Sequence, residues 1–185
     1  MKIKDTELLE INDDIFKFSL NNVDCSVLWL KSGLSGLYSD WIHVFLPKIS
    51  KMKLHVISGS HIYEGLPEEI FLHPDHRFFE ISPGFNKLKY LYIFPNSENT
   101  WIDTKTINTI PELINNALNT ITKTTIKDIA FNGILGSGEH GHDKNVDDEI
   151  AKNMISYIKD WLNKNKTSIE KIYLVNKVGR GFNLE

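Results

Sequence analysis

The sequence contains one cysteine, and only Arg77 and Arg180 are arginines among its 21 basic residues. A single cysteine excludes a disulfide within the chain and is typical of a reducing compartment. The scarcity of arginine and a formal net charge of −3 argue against a nucleic-acid partner, because proteins that read a duplex concentrate arginine and positive charge. No apolar run approaches the roughly 18 residues of a membrane span, and the first residues lack a signal-peptide pattern. We therefore expect a cytoplasmic protein that does not contact a membrane.

In other respects the composition is that of an ordinary globular domain. The chain has 185 residues, of which 41% are hydrophobic and 24% charged. A chain of this length can bury a core without help from a disulfide or a metal, and single domains cluster at about 100–200 residues. We predict one domain over 1–185; the segment 58–74 is its least regular part, and its role is open. The abundance of lysine and asparagine over arginine favours an AT-rich, bacterial genome.

Short apolar runs and two helical patterns alternate along the chain. One helix is expected to begin at Pro111, a second near Asp147, and a shorter one is expected over 38–49. Strand, helix, strand, helix, strand is the order of the last 80 residues, which predicts an α/β layer structure with a largely parallel sheet. Strands are expected in the apolar runs at 8–11, 15–18, 25–30, 54–57, 78–81, 88–94, 126–131 and 169–175.

A glycine-rich loop stands between the strand that ends at Phe131 and the helix expected near Asp147. Residues 132–142 read NGILGSGEHGH, with four glycines. Consecutive N–H groups in such a loop form an anion-binding nest, and Ser137 adds a hydroxyl, so phosphate or pyrophosphate would suit it. A connection whose glycines serve only its turns fits the spacing equally well. The loop has neither the Walker pattern nor GxGxxG with a later ribose-binding acid.

Metal and nucleophile motifs are weak in this sequence. His140, His142 and Asp143 could ligate a metal, but structural sites usually take four ligands, and one cysteine supplies little. GxSxG, HExxH and CxxC are absent, which removes support for serine hydrolase, zincin and thiol redox activities. We expect no metal and no cofactor.

The order of these segments resembles a macrodomain, the ADP-ribose-binding α/β/α module. The resemblance is carried by residues 126–141, IKDIAFNGILGSGEHG, and by the helix and last strand in 147–176. Residues 135–141 are similar to the family's aliphatic-Ser-Thr-Gly-x-x-Gly loop, and residues 81–86 resemble its turn before a strand. Val23 to Val27 resembles its Val-Asp-x-Ile-Val strand. The resemblance implies a three-layer α/β/α macrodomain-like fold with a mixed, largely parallel central sheet.

The resemblance also implies a binding site. Residues 13–15 are similar to the family's Gly-Asp-Ile turn, so Asp14 would accept a hydrogen bond from the adenine amine. N–H groups from two loops would hold the pyrophosphate, and Phe182 would stack on adenine or ribose. The implied ligand-binding residues are Asp14, Ile15, Gly33, Ser35, Gly36, Leu37, Gly136, Ser137, Gly138, Glu139, His140, Gly141 and Phe182.

Departures from the family pattern leave three functions open. The asparagine that meets the distal ribose is missing, with Lys31 nearest its place, and Asp40 stands three residues before His43 where hydrolysing members have four. The first hypothesis is binding of ADP-ribose or a related nucleotide diphosphate ribose. The second is an ADP-ribosyl hydrolase that acts on an ADP-ribosylated protein or a small derivative, with Asp40 and His43 as catalytic residues. The third is a scaffold that binds a protein partner and no nucleotide.

Overall fold

The computed structural model describes residues 1–29, 78–94, 104–132 and 144–175. Seven strands and three helices lie within these ranges. In chain order they are β1 (Lys2–Ile3), β2 (Thr6–Ile11), α1 (Ile15–Asn22), β3 (Cys25–Trp29), β4 (Phe78–Phe85), β5 (Leu88–Phe94), α2 (Thr104–Ile121), β6 (Asp128–Asn132), α3 (Lys144–Lys164) and β7 (Lys171–Val175).

The seven strands form one mixed sheet in the order β1-β2-β7-β6-β3-β5-β4. The five central strands are mutually parallel, and the two outer strands, β1 and β4, each pair antiparallel with their neighbour. Strands β3 and β6 in the middle of the sheet are covered on both faces, which is why residues 25–28 and 129–131 are buried in succession. The predicted mixed, largely parallel sheet is confirmed.

One face of the sheet packs against α2 and α3. Alternate residues of the central strands point into this core, among them Val27, Phe131 and Leu174, and all three are at most 1% exposed. The two helices are joined across their interface by Trp161, whose Nε1 donates to Asn119 Oδ1 at 2.8 Å. This is the larger of the two hydrophobic layers.

The opposite face is covered by α1. Ser19 on this helix donates to the hydroxyl of Ser26 on β3 at 3.0 Å, and both side chains are buried. Ser26 pairs in register with Ala130 on β6, so two small side chains lie side by side below the helix. Phe18 meets the ring of Tyr173 edge-on, with centroids 5.0 Å apart. Helices on both faces make the three-layer α/β/α architecture.

Several sequence-based boundaries are wrong. Residues 15–18 were expected to be a strand but form the first half of α1, because Asp14 caps a helix there. Pro111 lies inside α2 and does not begin it; the apolar spacing continues N-terminally through Ile107 and Ile110. The helix expected near Asp147 begins three residues earlier, at Lys144. The expected strand at 54–57 and helix at 38–49 lie outside the described residues.

Candidate functional site

The strand order reverses between β3 and β6, which are neighbours in the middle of the sheet. The next strands that the structure describes after β3 are β4 and β5, and both lie on one side of β3. After β6, by contrast, α3 leads to β7, which lies on the other side. In open α/β sheets, ligands bind in the crevice outside the carboxyl ends of the strands at such a reversal. The segments with the predicted phosphate-binding residues follow these two strands, since Gly33 is four residues after Trp29 and Gly136 four after Asn132.

Two further strands end level with β6 at this edge. Ile11 of β2 pairs with Val175 of β7, and Val175 pairs with Asn132 of β6. Asp14 follows Ile11 by three residues, and the segment that contains Phe182 follows Val175. The topology therefore attaches all four segments with predicted ligand contacts to one edge of the sheet, the carboxyl edge.

Asp14 is the predicted site residue whose geometry is best defined. Its Oδ1 accepts a hydrogen bond from the N–H of Lys17 at 3.3 Å, and its carbonyl oxygen accepts the N–H of Phe18 at 2.9 Å. Asp14 is thus the N-cap of α1, where a carboxylate also meets the positive end of the helix dipole. Asp13 supports it, since its Oδ1 accepts the N–H of Asp14 at 2.8 Å. The carboxylate of Asp14 is half-buried and held in one orientation at the carboxyl edge.

Ile15 occupies the first helical position, directly after this cap. The N–H groups of the first helical turn have no acceptor within the helix. Asp14 and Ile15 therefore place a carboxylate acceptor and a backbone N–H on adjacent residues at the carboxyl edge.

The other predicted site residues lie outside the described residues, so the structure neither brings them together nor separates them. The first loop, the glycine-rich loop, the C-terminal segment and the two candidate catalytic residues all belong to this group. They are Gly33, Ser35, Gly36, Leu37, Asp40, His43, Gly136, Ser137, Gly138, Glu139, His140, Gly141 and Phe182.

Asp24 is a structural residue that sequence reasoning did not identify. Its Oδ2 accepts the N–H groups of Lys127 and Asp128 at 3.0 and 3.1 Å, while its carbonyl oxygen accepts those of Lys89 and Tyr90, both at 3.0 Å. One residue thereby joins the amino ends of β3, β5 and β6 and fixes the spacing of the two strands that flank the crevice. No local sequence pattern identifies this role, because the N–H groups of Lys127 and Asp128 are about a hundred residues away in the chain.

Cys25 lies at the amino end of β3, away from the carboxyl edge. It is the first residue of β3 and is fully buried against α2 and α3. Burial raises the pKa of its thiol well above the ordinary range, and the negative charge of Asp24 raises it further. Within the described ranges no group of His, Cys, Asp and Glu side chains could hold a metal ion. The helices of the same ranges are too short or too polar to cross a membrane.

Comparison with solved structures identifies the fold, whereas comparison of sequences finds no relative. No family model matches the sequence, and no curated protein matches it. A mutant macrodomain from Oceanobacillus iheyensis with ADPR has 15% identity and a TM-score of 0.60, over 97% of this chain and 90% of that one. The macro domain of ganglioside induced differentiation associated protein 2 has 13% identity and a TM-score of 0.55, over 96% and 81%. A Trypanosoma brucei macrodomain in complex with ADP has 10% identity and a TM-score of 0.52, over 91% and 63%.

Proposed function

Because the chain has the macrodomain fold, we propose that it binds ADP-ribose or a related nucleotide diphosphate ribose at the carboxyl edge of its sheet. The observation that carries this proposal is the position of Asp14, an oriented carboxylate at the start of α1 beside the level ends of β2, β7 and β6. Two of the similar structures contain ADPR or ADP, which supports a ligand of this class.

The adenine end of the ligand would meet α1. The exocyclic amine of adenine is a donor, and Asp14 offers it a carboxylate whose orientation is fixed by the cap bond to Lys17. An ionised carboxylate can accept about four hydrogen bonds, so capping the helix and binding a base are compatible. The N–H of Ile15 would donate to a ring nitrogen of the same base.

The pyrophosphate would lie between the loops that follow β3 and β6. Backbone N–H groups of Gly33 to Leu37 and of Ser137 to Gly141 would bind its oxygens, since glycine allows the close approach that an anion nest needs. A chain of net negative charge can hold an anion in this way because the field of such a nest is local. Cleavage would in addition require a positioned water and a group to orient it. The candidates for that role, Asp40 and His43, lie outside the described residues.

Calorimetric titration with ADP-ribose, ADP and NAD tests the proposal, and Asp14→Asn tests its adenine contact. Asparagine retains an oxygen that can cap α1 but offers an amide N–H₂ as well, so it can match a ring carbonyl. We expect ADP-ribose affinity to fall about tenfold or more, as expected for loss of a hydrogen bond to a charged group. The analogue of ADP-ribose that has hypoxanthine in place of adenine carries a ring carbonyl where adenine has its amine. We expect its affinity for Asp14→Asn to fall less than that of ADP-ribose, or to rise.

The matched control is Asp5→Asn, which removes the same charge from an exposed turn at the opposite edge of the sheet. Its affinity for ADP-ribose should equal that of the wild type. Absence of heat with all three ligands would overturn the proposed function, whereas an unchanged base preference in Asp14→Asn would overturn only the role of Asp14.

A further inference from the structure

The edge of the sheet opposite the proposed nucleotide site carries an excess of lysine. We call this surface the basic edge. It comprises residues 2–7, 23–24, 86–89, 122–128 and 164–171, which precede or begin the strands at that end of the sheet. They include nine lysines and five carboxylates, in a chain whose formal net charge is −3. Positive charge is therefore concentrated at one end of an acidic protein.

Hydrogen bonds hold these segments together as one surface. The hydroxyl of Thr122, after α2, donates to that of Thr167, after α3, at 2.9 Å. Lys4 in the turn between β1 and β2 donates from Nζ to the carbonyl oxygen of Asn163 at 2.6 Å. Asp24 joins the starts of β3, β5 and β6 as described above. The lysines consequently have fixed attachment points relative to one another.

Only part of this charge is neutralised. Lys87 pairs with Asp128, and Lys127 pairs with Glu170. A further group of exposed lysines on the basic edge makes no ion pair with any residue that the structure describes. They are Lys89, Lys123, Lys164, Lys166 and Lys171.

The segments that carry these lysines are distributed across the amino edge of the sheet. The amino ends of β2, β7, β6, β3 and β5 succeed one another at about 4.8 Å, so the basic edge extends over about 19 Å. Helix dipoles account for some of the charge, because α2 and α3 end here and lysine is favourable at a helix C-terminus. That explanation does not cover Lys89 and Lys171, which lie at the starts of strands.

We propose that the basic edge binds the phosphodiester backbone of a nucleic acid without reading its bases. Most threonine, serine and asparagine side chains between the lysines donate within the protein, for example Thr124 to the carbonyl oxygen of Ile121 and Asn165 to that of Trp161. The exposed lysines would therefore supply the contacts to phosphate oxygens. The basic edge contains no aromatic residue and no arginine, the types that anchor protein interfaces and read guanine. The low arginine content and the net charge of the whole chain predict no nucleic-acid partner. The proposal departs from that expectation because the local excess of lysine at this edge suits phosphate contacts, which need no base reading.

Fluorescence anisotropy with labelled single strands of DNA and RNA tests this proposal at about 20 mM and about 200 mM salt. Each lysine–phosphate contact with a single strand contributes about 0.7 to the salt dependence of log K, so four contacts give a slope near −3. In the variant Lys123→Gln with Lys166→Gln, we expect binding at low salt to fall at least about tenfold and the slope to become shallower by about 1.4.

The control variant, Lys105→Gln with Lys152→Gln, has the same net charge and changes one lysine in the first turn of α2 and one in the middle of α3, away from this edge. It should bind like the wild type, and thermal midpoints measured by circular dichroism should match. If the first variant unfolds, Lys89→Gln with Lys171→Gln replaces it.

No binding by the wild type at low salt, or equal loss in the control, would overturn the proposal. Equally tight binding of polyglutamate would overturn it in favour of an acidic polypeptide. ADP-ribose binding is measured separately, and its outcome neither supports nor contradicts binding of a nucleic acid at the basic edge.

Discussion

At the scale of single residues, burial decides which side chains can react. Cys25 is 0% exposed and lies in β3, with β5 on one side and β6 on the other. Burial, with the charge of Asp24, raises the pKa of the thiol, so almost no thiolate forms near neutral pH. A thiol in a central strand becomes accessible only when the sheet opens.

We expect the thiol of Cys25 to resist a disulfide labelling reagent at pH 8 in the native protein. Labelling should become complete and fast in denaturant, and the slow native rate should follow the free energy of global unfolding as urea is added. The variant Cys25→Ala provides the baseline, since it removes the only cysteine. Stoichiometric labelling within seconds without denaturant would show that β3 is exposed.

The side chains of the site differ in how far sequence could identify them. The resemblance to a known turn predicts Asp14 as an adenine contact. The structure shows it as the cap of α1 at the carboxyl edge, and its contact with adenine stays a prediction. The support from Asp13 and the junction made by Asp24 could not be predicted in the same way. A carboxylate that accepts backbone N–H groups about a hundred residues away, as Asp24 does with Lys127, is defined by tertiary contacts and has no local pattern.

At the scale of elements, buried parallel strands were the most predictable. The predicted strand 88–94 coincides with β5, and Cys25 to Trp29 of the predicted strand 25–30 form β3, because a strand covered on both faces must be apolar at successive positions. Helix α1 was missed because its first four residues, IFKF, form a short apolar run that is also typical of a strand. The capping carboxylate ahead of it was the stronger signal.

The glycine-rich loop between β6 and α3 is the element whose role is most readily tested by substitution. Gly138→Glu places a carboxylate in the position that the motif gives to the pyrophosphate. We expect loss of measurable ADP-ribose binding, because the side chain fills that space and repels the phosphates. Titration should be accompanied by a thermal melt, which we expect to change little. Gly138→Ala is the matched control and should retain part of the affinity. Unchanged binding by Gly138→Glu would exclude this loop from the phosphate site.

At the scale of the whole molecule, Asp24 joins three of the five parallel strands at one point. We expect Asp24→Ala to lower the free energy of unfolding by about 2 kcal/mol, since it removes the acceptor of two backbone N–H groups. Urea unfolding should show one transition with a lower midpoint and an unchanged slope. Asp24→Asn keeps one oxygen acceptor and should lie between Asp24→Ala and the wild type. A midpoint equal to the wild type in Asp24→Ala would show that the three strands do not depend on this carboxylate.

The pairing of β2 with β7 has a consequence for the order of folding. Leu8 lies beside Ile172, so one of the first strands made completes its pairing only when the last strand of the sheet has left the ribosome. Contacts so distant in sequence slow folding, and until they form, the edges of β2 and β6 can pair with other chains. Assembly during synthesis therefore has to wait for β7, and a nascent chain that stops before Lys171 should collect chaperones or aggregate.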